Sequence, residues 1–205
     1  MTLQLLLVRH GESAGNHAGM FTGHSPSPLT ARGRAQAEAV GVALSEPPAD
    51  AIYSSDLVRA MDTAAPLARR LGLEVITRAS LRERDMGAWV GVTFADVEAR
   101  WPEDWQRVLD RDPDHCPPSG ESHRACGARV AQAIDEIVRA HPSGRVVVVS
   151  HGVAINHMLR HLLRVDGWRT LFHVENCAVQ RLSVSTAGIV RVLGLNDARH
   201  LVAVE

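Results

Sequence analysis

Two short apolar runs, Leu3 to Val8 and Val146 to Val149, each break into a histidine followed by a glycine: Arg9-His10-Gly11 and Ser150-His151-Gly152. Four valines in a row present no polar face to water. A strand of that kind is buried on both sides, and sheets made of such strands are parallel and covered by helices. The intervening segments fit this pattern. Thr30 can cap a helix to about Ser45, with Ala35, Ala39 and Val42 to Leu44 on its apolar face, stopped at Glu46-Pro47-Pro48. Ala51 to Tyr53 reads as a brief strand. Ser54-Ser55-Asp56 then offers cap chemistry for a helix carrying Leu57, Ala60, Ala64, Leu67 and Leu71 and closed by Gly72. Pro66 falls inside that pattern and predicts a kink or a split. Glu74 to Thr77 is another short strand, Glu121 to Ala140 a strong helix, and Gly152 opens a helix to about Leu163. Strands near 178–184 and 189–195 follow. Residues 14–28 read as loop. Residues 78–120 are irregular and hold Trp89, Trp101 and Trp105. Strands alternating with helices predict an α/β fold, with a mostly parallel central sheet flanked by helices on both faces. The expected organisation is one domain over 1–205, with a small irregular cap insertion at 92–123.

Such sheets place their sites at the carboxyl ends of strands. Three segments qualify: Arg9-His10-Gly11, Ser54 to Arg59, and Ser150-His151-Gly152. Here the composition matters. All 22 basic residues are arginine and there is no lysine. That excludes a P-loop nucleotidase, a Schiff-base enzyme and a protein kinase, each of which needs a lysine amine. Anion handling falls to guanidinium groups, histidines and backbone N–H groups. A phosphate monoester needs its charge neutralised, its phosphorus attacked and its leaving oxygen protonated. Arg9 and Arg59 can grip phosphate oxygens bidentately, and the N–H of Gly152 lies at a helix start. Of His10 and His151, one can be the nucleophile and the other a partner for the developing charge. Two nearby arginines would keep a nucleophilic histidine neutral, and a backbone carbonyl on its other nitrogen would fix the tautomer. Glu83 is the candidate acid, with Glu12 and Asp85 as neighbouring alternatives.

These residues form a pattern. Val8-Arg9-His10-Gly11-Glu12-Ser13 with Asn16, Thr22-Gly23, Leu29-Thr30 and Gly33 come first. Tyr53 to Ala60 with Thr63-Ala64 follow, then Leu81-Arg82-Glu83 with Gly87, Trp89 and Gly91, Gly120-Glu121-Ser122, and Val148 to Gly152. In this order they resemble the histidine phosphatase superfamily, also called phosphoglycerate mutase-like. The resemblance implies His10 as the nucleophile that becomes phosphohistidine and Glu83 as the proton donor. Arg9, Arg59 and His151 would hold the phosphoryl group. Asn16, Thr22, Gly23 and Gly152 would complete the substrate pocket, with no metal and no cofactor. The implied function is a metal-independent phosphomonoesterase acting on a small phosphorylated metabolite. Family mutases are longer between the acid and the second histidine and carry a lysine there, which this chain lacks. A mutase, or a silent phospho-ligand binder, is the competing reading. Relatives are often dimers, so a homodimer is among the expected states.

The remaining features are read more plainly. A net charge of −1 excludes the basic excess of a nucleic-acid binder, and no apolar run is long enough to span a membrane. Three cysteines, Cys116, Cys126 and Cys177, predict free thiols in a reducing, cytoplasmic setting. His157 and His161 share a helix face read as partly exposed. Trp101 and Trp105 are read as packing residues, with substrate contact as the alternative.

Overall fold

The computed structural model describes residues 1–202 and Val204. A six-stranded sheet forms the centre, in the order β3-β2-β4-β1-β5-β6. Its strands are β1 (Thr2–Arg9), β2 (Ala51–Ser54), β3 (Val75–Thr77), β4 (Gly144–Ser150), β5 (Val179–Ser185) and β6 (Val190–Asp197). The first four run parallel; β5 joins β1, and β6 joins β5, antiparallel. The helices are α1 (Ala14–His17), α2 (Ala31–Leu44), α3 (Val58–Leu71), α4 (Phe94–Arg100), α5 (Pro102–Leu109), α6 (His123–Ala140) and α7 (Gly152–Leu162).

The side-chain alternation of the strands divides the core in two. Leu5, Leu7, Tyr53, Val146 and Val148 pack with α6 and α7. Leu6, Val8, Ile52, Val147 and Val149 pack with α2 and α3. The valine run is therefore buried because its members face opposite layers. None of the helices is long and apolar enough to cross a membrane, among the described residues.

Four expectations change. The loop 14–28 contains α1, because Ser13 and Asn16 form a reciprocal capping box. Helix α3 is not split: it continues through Pro66, which is buried where α2 comes close. A Cβ on Gly41 of α2 would lie 2.9 Å from Pro66 Cβ, so the glycine lets the two helices meet there. Interhelix packing can offset the backbone hydrogen bond that proline lacks. The segment 78–120 is more ordered than its composition suggests, holding α4, α5 and two 3-10 turns. Met86, Trp89 and Val97 are buried there, with Trp101, Trp105 and Val108 packed on them as a satellite core. Helix α6 begins at His123, two residues later than read, where Ser122 accepts from Ala125 N–H.

Candidate active site

Strand register builds the centre of the site. Arg9 of β1 pairs with Ser150 of β4, so His10 and His151 stand side by side one residue beyond. His10 N–H donates to Ser150 O at 2.9 Å, and the imidazole centroids are 5.1 Å apart. The turn after β1 needs glycine for space. A Cβ on Gly11 would run into the carbonyl of Gly33, the residue whose N–H Thr30 caps.

The two imidazoles are held by opposite nitrogens. His10 Nδ1 lies 2.7 Å from its neighbour's carbonyl, Gly11 O. A carbonyl only accepts, so Nδ1 carries the proton and Nε2 is the basic nitrogen. His151 instead bonds Ser55 Oγ through Nε2 at 2.8 Å, leaving the buried Nδ1 without a partner. Both imidazoles are buried and held well below the usual histidine pKa. Burial is the first cause for each; Arg59 and Arg9 then act on His10, and His10 and the same arginines act on His151. The neutral state anticipated for a histidine nucleophile is the one this environment favours.

The arginines are anchored by carbonyls. Arg59, fully buried at the first turn of α3, donates from Nη2 to Gly23 O at 2.8 Å and from Nη1 to Ser25 O at 3.2 Å. Arg9 Nη1 donates to Val174 O at 2.7 Å. The Nε of each is buried with no partner among the described residues. Two arginine Nε–H groups and His151 Nδ1 are thus unsatisfied polar groups beside His10. Such groups are costly unless something bonds to them.

Glu83 occupies the start of α7. Its oxygens accept from Arg84 N–H at 2.9 Å, Ala154 N–H at 3.1 Å and Val153 N–H at 3.2 Å. Arg82 is taken by Asp56 in a bidentate pair at 2.7 and 2.6 Å, and Arg84 Nε donates to Glu121 O, so neither arginine neutralises Glu83. Of the other carboxylates, Glu12 bonds Thr30 Oγ1 at 2.7 Å and Asp85 bonds Gly87 N–H at 3.0 Å. Only Glu83 sits on the helix terminus beside Arg9. A Cβ on Gly152 would lie 3.7 Å from Arg9 Nε and 3.9 Å from Glu83 Oε2, so only a small residue leaves that approach open.

The remaining predicted pocket residues divide. Gly23 carries a positive φ of 46°, and a Cβ there would sit 2.8 Å from Met86 N, so the loop can cover Arg59 only with glycine at this point. Thr22 works through its backbone: its carbonyl accepts from Ser25 N–H and Oγ, and its hydroxyl has no partner among the described residues. Asn16 Oδ1 closes the capping box and accepts from Asn176 Nδ2 at 3.3 Å.

Several contributors carried no separate signal. Asn176 also donates to His10 O at 2.8 Å. Thr63 accepts from Gly11 N–H and donates to Arg59 O, joining the two halves of the pocket. Arg129 donates to Ser80, Arg82 and Glu83 carbonyls while bonding both oxygens of Glu121, which fixes the strand-end segment that bears Glu83. His24 Nε2 lies 2.7 Å from Glu83 O. Ser55 and Thr63 stand inside the sequence motif, so their presence was legible, but their partners were not. His157 is a correction: it is buried, not on an exposed face, because His123 of α6 bonds it at 3.2 Å. His161 remains outside and pairs with Asp135. No group of three or more His, Cys, Asp or Glu is placed to hold a metal ion among the described residues.

Known proteins share this architecture. Residues 5–198 match the histidine phosphatase superfamily (branch 1). The chain is 37% identical over 164 residues to phosphoserine phosphatase 1 of Hydrogenobacter thermophilus, covering 80% of this chain and 78% of that protein. It is 34% identical over 182 residues to a Proteus mirabilis protein named "Probable phosphoglycerate mutase", covering 88% and 84%. Among solved structures, mycobacterial glucosyl-3-phosphoglycerate phosphatase with VO3 superposes with a TM-score of 0.87 at 31% identity, over 95% of this chain and 99% of that one. The chain belongs to the histidine phosphatase superfamily.

Proposed function

We propose that the protein is a metal-independent phosphomonoesterase that hydrolyses a small phosphorylated metabolite through a phosphohistidine. One observation carries this reading: the unpartnered Arg9 Nε, Arg59 Nε and His151 Nδ1 surround a neutral His10 whose Nε2 is its basic nitrogen. The two arginine Nε–H groups, and His151 Nδ1 in the tautomer whose Nε2 accepts from Ser55 Oγ, suit the oxygens of a phosphoryl group, and the His10 imidazole suits its phosphorus. His10 Nε2 forms the bond to phosphorus as the ester P–O bond breaks. Glu83, in its protonated form, gives its proton to the leaving alkoxide, so the alcohol departs neutral. Water then attacks the phosphohistidine, Glu83 takes back a proton, and inorganic phosphate and free His10 result. The VO3 in the mycobacterial relative, an oxyanion of phosphate's kind, supports the same reading. So does the phosphoserine phosphatase relative. The proposed setting is the cytoplasm, where Cys116, Cys126 and Cys177 stay thiols.

The relative named for phosphoglycerate mutase favours one second reading, phosphoryl transfer between hydroxyls of phosphoglycerate. Incubation with 3-phosphoglycerate and a trace of the bisphosphate separates the two. Phosphate release in the presence of chelator, with an acid-labile phosphoryl label on the wild type and none on His10→Ala, is the expected result. Isomer interconversion faster than phosphate release overturns hydrolysis as the function, and loss of activity on chelation overturns the metal-free mechanism.

A further inference from the structure

A pocket of about 170 Å3 opens beside the site, sharing Gly152 and Val153 with it. Val153 belongs to both the site and the pocket. Its N–H holds Glu83 Oε2 at 3.2 Å, while its side chain walls the pocket. An ester oxygen protonated by Glu83 therefore has its carbon substituent directed along this wall. We infer that the pocket is the subsite for the leaving alcohol. It takes an apolar body about one ring in size, with a carboxylate reaching Arg111. The inference rests on the phosphatase reading above.

The size follows from the volume: an apolar cavity of roughly 150 Å3 admits benzene. The apolar character follows from how the lining is committed. Leu171 and Trp168 supply carbon surface. His123 Nδ1 and His157 Nε2 bond each other at 3.2 Å, so each spends a nitrogen on its partner. Burial, joined by nearby arginines, pushes His123 down to about 3 and His157 down to about 4, so the pair is uncharged at neutral pH. Asn156 is fully engaged, donating to Gly152 O and Phe172 O and accepting from Phe172 N–H. Arg160 donates to Thr170 O and Val165 O and lies 5.0 Å from the Trp168 ring centre, held by the wall it helps form.

Arg111 differs from all of these. It lines the same pocket, is exposed, and has no carboxylate within ion-pair distance among the described residues. Its φ of 59° lies in the left-handed region, just past the end of α5. A short, wholly polar alcohol such as a glycerate would leave the Leu171 and Trp168 surfaces wet. A ring-bearing alcohol covers them and can carry an acid to Arg111.

The test compares kcat/KM for ethyl phosphate, benzyl phosphate and 4-carboxybenzyl phosphate, whose leaving alcohols are of similar acidity. Benzyl phosphate should exceed ethyl phosphate by about tenfold or more, as filling an apolar pocket does. The carboxylate should add about fivefold, the scale of one exposed ion pair. Leu171→Asp should abolish the benzyl preference, lowering turnover of benzyl phosphate far more than that of ethyl phosphate. Arg111→Gln should remove only the carboxylate increment. Equal rates on ethyl and benzyl phosphate, or a benzyl preference that survives Leu171→Asp, overturn the subsite. A carboxylate increment that is absent, or that survives Arg111→Gln, overturns the role of Arg111. If the wild type releases phosphate from none of the three, it is the phosphatase reading that fails.

Discussion

On the phosphate side of Gly152, every functional side chain is fixed twice over. His10 and His151 are placed by the pairing of β1 with β4 and by a hydrogen bond at one ring nitrogen each, and Arg59 is buried with two carbonyls on its guanidinium. On the other side, the pocket bounded by Trp168 and Leu171 is mostly carbon surface, and Arg111, which has no carboxylate partner among the described residues, is exposed. The contrast separates two tasks. Holding a developing charge requires donors that do not reorganise, which rigid strand ends provide. Selecting an alcohol requires only shape and carbon surface, which a helix face and a loop provide at little cost to the core. Changes on the first side should therefore destroy turnover, and changes on the second should only redistribute it among substrates.

The sharpest test of that division is His10→Ala. Removal of a nucleophile that acts with its whole constellation should lower phosphate release by about 10⁴-fold or more. Thermal unfolding should show the fold intact, and substantial residual turnover would break the comparison at its centre. Next comes Arg59→Lys, in which the charge remains but the planar fork is lost. With the Gly23 and Ser25 carbonyls no longer both satisfied, kcat/KM should fall by about 10²- to 10³-fold for every ester alike. A fall confined to one substrate would place Arg59 on the selective side instead.

Glu83→Gln sharpens the boundary between the two sides. Alkyl esters, whose leaving group needs a proton, should slow by about 10²- to 10³-fold. 4-Nitrophenyl phosphate, whose leaving group departs as an anion, should slow far less. A uniform loss would mean that Glu83 shapes the phosphate pocket and does not donate the proton.

The smallest effect, per residue and per pH unit, is on stability. His123 and His157 on the selective side, like His10 and His151, have folded pKa values below the unfolded value of about 6.5. Between the two values the unfolded chain binds more protons, so stability is complete above about pH 6.5 and declines as the pH falls through it. Denaturant unfolding should lose about 1.4 kcal/mol per pH unit for each such histidine in that window. His157→Gln should flatten the slope by about one proton. A wild-type stability that is level between pH 7 and pH 5 would contradict the buried neutral pairs.

The parts of the site legible in the sequence are those that strands carry. Arg9-His10-Gly11 and Ser150-His151-Gly152 are short, local and bound to a recognisable apolar run, so the end of each run marks where the strand emerges from the core. Glu83 was legible only as one of three carboxylates. What distinguishes it from Glu12 and Asp85 is Val153 and Ala154 N–H, about 70 residues away along the chain. Asn176 and Arg129 were illegible as site builders for the same reason. Each acts through a partner distant in sequence, and no local pattern encodes a distant partner.

The amino-acid sequence by itself determined an α/β sheet with two histidines at strand ends, an anion site made without lysine, and a superfamily. Those properties depend on residue type and on periodicity along the chain. Only the tertiary structure decided which nitrogen of each histidine is engaged, which carboxylate meets the start of α7, that α3 continues through Pro66, and that His157 turns inward to His123. Each of these is settled by a contact between segments far apart in the chain, where burial and hydrogen-bond geometry select one among several partners the sequence leaves equally available.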